Sequence, residues 1–264
     1  MDNMTMRFVV VPLAVLLAFA ATLRGQSWPS NAQVFRDVYG QVDAGGASVR
    51  WDAAKESQPS PYDGRSFAET GQEMAVEVLL RGEVNGRLYV ATSAVPKAPV
   101  EYNCHACMAA LGAVVYGRAN GTWKLEASSP VAIYAGGWGG PPVGIELRRC
   151  GERTYCFVVE DWFTAQGYSE SKLKVFGPVG GSVRSLLSAP FESEAPGATK
   201  KVSASVRFEP ISAGRPAFFD LEVVGVRRDC SSGRCVNSWE DRWYRYSGGE
   251  YDEVAISPQR AKAK

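Results

Sequence analysis

The sequence predicts an all-β protein built from repeated four-stranded antiparallel meanders, β-propeller-like in plan, and three observations carry that prediction. Residues 113–130, 173–190 and 241–258 align without a gap, with Tyr116, Phe176 and Tyr244 in register and Trp123, Val183 and Tyr251 in register. Each stretch holds a turn dipeptide at its centre: Asn120-Gly121, Gly180-Gly181 and Gly248-Gly249. A two-residue hairpin turn of type I′ needs positive φ at both central positions, which Asn and Gly tolerate and β-branched residues do not. Finally, another strand pair precedes each hairpin. The repeating unit is thus the meander from which propeller blades are made. An irregular β-sandwich or barrel of consecutive hairpins is the alternative.

Taken along the chain, residues 1–20 read as an export signal. Arg7 is followed by an apolar run over 8–19, and Ala18 and Ala20 supply the small residues a signal peptidase requires. The run is short for a membrane span, Pro12 interrupts it, and no stable span is expected after cleavage. Residues 21–72 are poorly patterned and could supply part of a blade. Within them 34–41 suit a short helix with Ser30 as N-cap, or a strand, and 57–64 are rich in turn residues.

The β-repeat domain is expected over 73–258. Its first repeat, about 74–130, opens with Met74, Val76, Val78 and Leu80 in alternation, turns at Asn85-Gly86 and returns through Leu88, Tyr89 and Val90. The second, about 143–190, runs over 143–149 and back over 155–159. The third, about 206–258, runs over 206–211, turns at Ala213-Gly214 and returns over 218–224. Residues 259–264 form a tail.

With 29 Lys and Arg against 28 Asp and Glu, the net charge of +1 offers no basic excess for nucleic acid. All six cysteines lie beyond the leader as close pairs: Cys104 with Cys107, Cys150 with Cys156, Cys230 with Cys235. Even count, local pairing and an export signal together predict three short disulfides in a periplasmic or secreted protein.

In a meander the two tight turns share one end, and the middle connection and the link to the next repeat share the other. That second end is expected to gather the long loops 96–111, 134–142, 161–172 and 227–240, and long loops on a rigid scaffold are where binding residues concentrate. Their aromatic residues are Tyr102, Tyr134, Trp138, Trp162, Phe163, Tyr168 and Trp239. Of these Tyr134, Trp138, Trp162, Tyr168 and Trp239 are the candidate ligand contacts, suited to a protein partner or cell-wall glycan.

Cys104-His105-Ala106-Cys107 is the sharpest short motif. Its Cys-x-x-Cys spacing resembles the active-site motif of thioredoxin-like disulfide oxidoreductases, in which a thiolate attacks a substrate disulfide. Two sulfurs and an imidazole would also suit copper(I) or zinc. A structural disulfide is the third reading, and no cofactor is expected with it. His105 is the single histidine, so serine-triad or multi-histidine chemistry has little to draw on. Glu160, Asp161 and Glu170 are the carboxylates that could serve glycoside cleavage.

The leader, the Cys-His-Ala-Cys motif upstream of Val114-Val115-Tyr116, and the late run Trp243-Tyr244 with Gly248-Gly249 and Tyr251 together resemble a group of uncharacterised exported bacterial β-repeat proteins. That resemblance implies a compartment and an architecture, and no functional residue. The expectation is therefore an exported, non-enzymatic binding or inhibitory protein. The alternatives are a periplasmic thiol-disulfide or soft-metal-handling protein working through Cys104, His105 and Cys107, and a glycan-cleaving enzyme.

Overall fold

An amphipathic helix, α1 (Asn31–Tyr39), opens the fold in the computed structural model, which describes residues 27–55, 68–97, 104, 106–165, 168–194, 200–209, 217–229 and 236–255. The proposed leader, the 57–64 turn segment, the 213–214 turn and the C-terminal tail lie outside the described residues. The Ser30 side chain caps the helix by accepting from the Gln33 N–H, and Gly40 ends it at φ 88° with its N–H on the Arg36 carbonyl. Between helix and strand, the caps select helix for this segment.

Three antiparallel meanders follow. The first sheet is five-stranded, in the order β1 (Ser48–Arg50), β2 (Glu73–Val84), β3 (Arg87–Pro96), β4 (Ala109–Ala119), β5 (Thr122–Ala135). The second holds β6 (Ile145–Arg149), β7 (Tyr155–Ala165), β8 (Tyr168–Val179) and β9 (Ser182–Glu194). The third holds β10 (Lys200–Glu209), β11 (Asp220–Asp229), β12 (Val236–Ser247) and β13 (Glu250–Val254). Segments 161–172 and 227–240, expected as loops, are largely the extended ends of the β7/β8 and β11/β12 hairpins. Their polar composition hides them from an apolar alternation count, since strand pairing uses backbone groups that every residue carries.

The sheets stack on one another by their faces. Val34, Phe35, Val38 and Tyr39 of α1 pack on one face of the first sheet, with Leu88, Val90, Val114 and Tyr116. The other face, made largely of alanine (Ala91, Ala109, Ala113, Ala127, Ala132), meets Phe157, Val159, Phe176 and Val183 of the second sheet. The far face of the second sheet, with Val158, Leu173, Val175 and Leu187, meets Leu221, Val223, Tyr244 and Tyr251 of the third. Burial on both faces explains why β4 reads as a continuous apolar run where one-sided strands alternate.

The aligned positions take equivalent places in the three sheets. Tyr116, Phe176 and Tyr244 each point to the layer before their own, and so do Trp123, Val183 and Tyr251. The register shift beside Tyr116, between Val115 and Tyr116, recurs between Val175 and Phe176, and the one after Leu111 recurs after Ser171. Shared bulge positions mark a shared local twist, which independent hairpins would not have in common.

A closed propeller ring is not seen among the described residues. The outer face of the first sheet is occupied by α1, tied down by the Tyr116 hydroxyl donating to Asp37 Oδ2 at 2.8 Å and by a 3.0 Å bond between Tyr39 Oη and Thr92 Oγ1. Burial raises the pKa of both hydroxyls, and the Asp37 bond and charge raise that of Tyr116 further. At the other end, Asp220 and Glu222 of β11 alternate with the core residues Leu221 and Val223; both are buried, and they lie within 3.5 Å of Arg245 and 3.9 Å of Arg207 respectively. The helix caps the first sheet, as a terminal unit does in a repeat array.

Turn geometry refines one expectation. Asn85 and Gly86 (φ 53° and 72°), Asn120 and Gly121 (51° and 77°), and Gly248 and Gly249 (63° and 115°) have positive φ throughout. At Gly180-Gly181 only Gly180 does, at 62°, the pattern of a type II′ turn. Gly121→Val, Gly180→Val and Gly249→Val should each cost ~1 kcal/mol or more, whereas Gly181→Val should stay within ~0.5 kcal/mol. Urea titration of the four variants checks this; equal costs at Gly180 and Gly181 would refute the turn assignment.

Candidate functional site

Meander connectivity gathers the connections after β3, β5 and β7 at one end, and there the glycine-rich segment 134–142 is built with unusual stiffness. Gly136 has φ +89°, and a Cβ on it would lie 2.1 Å from the Gly140 carbonyl oxygen, so only glycine fits. Its N–H donates to Asp161 Oδ1 at 2.7 Å. Lys174 Nζ donates to Asp161 Oδ2 at 2.5 Å and to the Tyr134 carbonyl at 2.6 Å. The Asp161 and Lys174 side chains are only 4% and 12% exposed, so this ion pair is an internal bolt between the second sheet and the loop.

Beyond Gly136 the chain makes a miniature hairpin. Gly137 and Gly140 exchange backbone hydrogen bonds at 3.2 and 3.0 Å, and the two residues between them, Trp138 and Gly139, have φ of 55° and 72°. This is the dihedral pattern of a type I′ turn, with tryptophan where asparagine or glycine belongs. A bulky side chain in the left-handed region costs ~1–2 kcal/mol. Trp138 is nonetheless 59% exposed.

What holds the turn is the Cys-x-x-Cys segment. Cys104 and Cys107 are joined by a disulfide, and their carbonyls accept from the Trp138 and Gly139 N–H groups at 2.9 and 2.8 Å. Met108 pairs with Gly140 alongside. Cys104 is exposed and Cys107 is buried. His105 lies outside the described residues. With both sulfurs bonded to each other, a soft metal could be bound only after reduction.

The other expected contacts divide. Trp162, next to the Asp161 anchor, is 52% exposed at the same end of β7. Tyr168 begins β8 at that end and Trp239 lies near the corresponding start of β12; their backbone positions alone are described. Tyr134, expected as a ligand contact, is instead 7% exposed and packed in the core under α1, because its position in β5 faces the helix. Its carbonyl accepts from Lys174.

One further expectation is corrected. Adjacent strand residues point to opposite faces, so Glu160, which is exposed, and Asp161, which is buried, cannot act as an acid–base pair. Asp161 is already committed to Lys174 and Gly136. Cys150 and Cys156 are joined by a disulfide, as their spacing predicts, and it is fully buried between the second and third sheets. There the Cys150 carbonyl accepts from Phe219 N–H at 2.6 Å, and a Cβ on Gly151 would lie 1.9 Å from the Ala217 oxygen. Cys230 and Cys235 lie outside the described residues.

Lys174 is the residue that sequence reasoning missed. Its signal was present: in the aligned repeats it stands where Val114 stands, a cation at a core position. Among the described residues no helix is long and apolar enough to cross a membrane. No family model, curated protein or solved structure matches the chain.

Proposed function

We propose that this chain is an exported, non-enzymatic binding or inhibitory protein that recognises a protein or cell-wall glycan through its loop end, with Trp138 as the central contact and Trp162 beside it. One observation carries this reading: a tryptophan held at positive φ, in a turn that glycine would occupy without strain, with its ring presented to solvent. Strain kept at a surface position against the local preference points to use. The two disulfides fit an oxidising compartment. The capped stack of blade-like sheets serves as the rigid scaffold, in the manner of an open propeller.

Substitution at Trp138 separates binding from stability. Trp138→Gly should leave the melting free energy unchanged or raise it by up to ~1 kcal/mol, because the left-handed strain disappears. The same change, and Trp162→Ala, should each cost ~2 kcal/mol in affinity, the range of aromatic hot spots. Ligand found by pull-down from periplasmic extract, or soluble cell-wall fragments, would be titrated calorimetrically against these variants. Unchanged affinity in both, or a large loss of stability in Trp138→Gly, would remove this end as the recognition surface.

A second reading has its own support in the exposed Cys104 and buried Cys107, the asymmetry expected of a disulfide open to attack at one sulfur. Turnover of a test disulfide by the reduced protein, lost in Cys104→Ser, would favour it.

A further inference from the structure

We propose that the Cys104–Cys107 disulfide is a redox latch for the Trp138 turn, opened by a dithiol reductant that attacks Cys104. The inference rests on the binding reading above and adds to it a means of control.

The geometry makes the latch. Trp138 sits at φ 55°, a conformation that persists only where its surroundings impose it. Two of the bonds imposing it run from the N–H groups of Trp138 and Gly139 to the carbonyls of Cys104 and Cys107, the two residues the disulfide joins. Cys107 leads directly into Met108 and β4 and is buried, so its place is set by the sheet. Cys104 is exposed, and among the described residues its ties are the sulfur–sulfur bond and its carbonyl, which also accepts from the Cys107 N–H at 2.9 Å. Cutting the sulfur bond therefore removes the covalent side-chain tie that keeps this carbonyl against the strained residue and leaves hydrogen bonds alone to hold it.

The chemistry balances without further components. One thiolate of the dithiol attacks Cys104 Sγ, and Cys107 leaves as a thiolate and takes a proton. The second thiol then attacks the mixed disulfide, releasing Cys104 as a thiol and the reductant as a cyclic disulfide. The other described disulfide is protected from the same reagent, because Cys150 and Cys156 are both fully buried.

Amide hydrogen exchange tests the latch without any ligand. The full chain would be treated with dithiothreitol, alkylated and mapped to show that Cys104 and Cys107 are free while Cys150 and Cys156 remain joined. Exchange at the Trp138 and Gly139 amides should accelerate at least about tenfold on reduction, with the β7 and β8 amides unchanged. The double variant Cys104→Ser with Cys107→Ser should show the same acceleration without reductant. Exchange within about twofold of the oxidised protein, in the reduced chain or in the folded double variant, overturns the latch and leaves the binding reading standing. If exchange accelerates as expected, the latch is supported, and Trp138→Gly binding the cell-wall fragments or extract protein like the unaltered chain would then count against the binding reading alone.

Discussion

Asp161→Ala is expected to destabilise the fold by ~3–5 kcal/mol, the cost of removing one partner from a buried ion pair. The loss has two sources. The Lys174 ammonium, 12% exposed, would keep only the Tyr134 carbonyl at 2.6 Å, and the Gly136 N–H would lose its acceptor inside a loop that leaves no room to rearrange. Asp161→Asn separates them, because the amide oxygen still accepts from Gly136 while the charge pair is gone, and should fall between alanine and the unaltered protein. Asp161→Leu combined with Lys174→Met should recover only the part of the loss that comes from the unpaired charge, since the Gly136 N–H and the Tyr134 carbonyl still lack partners. Guanidinium titration of the four proteins checks the order. A cost for Asp161→Ala within ~0.5 kcal/mol, as at an exposed site, would show that the bolt between loop and second sheet carries no load.

Phe157→Ala should cost a similar ~3–5 kcal/mol, for a different reason. The ring is fully buried between the first and second sheets, stacks on Phe176 with centroids 4.9 Å apart, and meets Tyr89 edge-on at 6.3 Å. The surface it presses into is mostly alanine, and alanines have no length with which to fill a void. Phe157→Leu, which keeps most of the volume, should cost distinctly less. Equal costs for the two would mean that the face-to-face packing of these sheets is looser than the ring contacts show. Because Phe157 lies in the sheet body away from Trp138, the folded fraction of either variant should bind with unaltered affinity, which distinguishes scaffold damage from site damage.

Much of this molecule is written in local rules. The hairpins at Asn85-Gly86, Asn120-Gly121 and Gly248-Gly249 follow from which residues accept positive φ, and helix α1 follows from Ser30 and Gly40 at its ends. The close spacing of Cys104 with Cys107 and Cys150 with Cys156 made those pairs legible as well. The extent of β7, β8, β11 and β12 was not legible, because Ser169, Glu170, Ser171 and Lys172 pair through backbone groups common to every residue. Tyr134 and Trp138 looked equivalent as aromatic loop residues; the helix packed across β5 buries one, and a turn cross-braced from another loop exposes the other.

Residues within a few positions of one another set the antiparallel hairpins, their turns, the helix caps and the short-range disulfides, so all of these could be read locally. The face-to-face stacking of the sheets, the Asp161–Lys174 pair that bolts the loop and the hold of Cys104 and Cys107 on a tryptophan in a glycine conformation arise only in the folded molecule. Those features depend on contacts between distant segments, whose energies no local propensity encodes: a carboxylate reads as surface until the lysine and backbone amide that bury it are brought to within hydrogen-bonding distance.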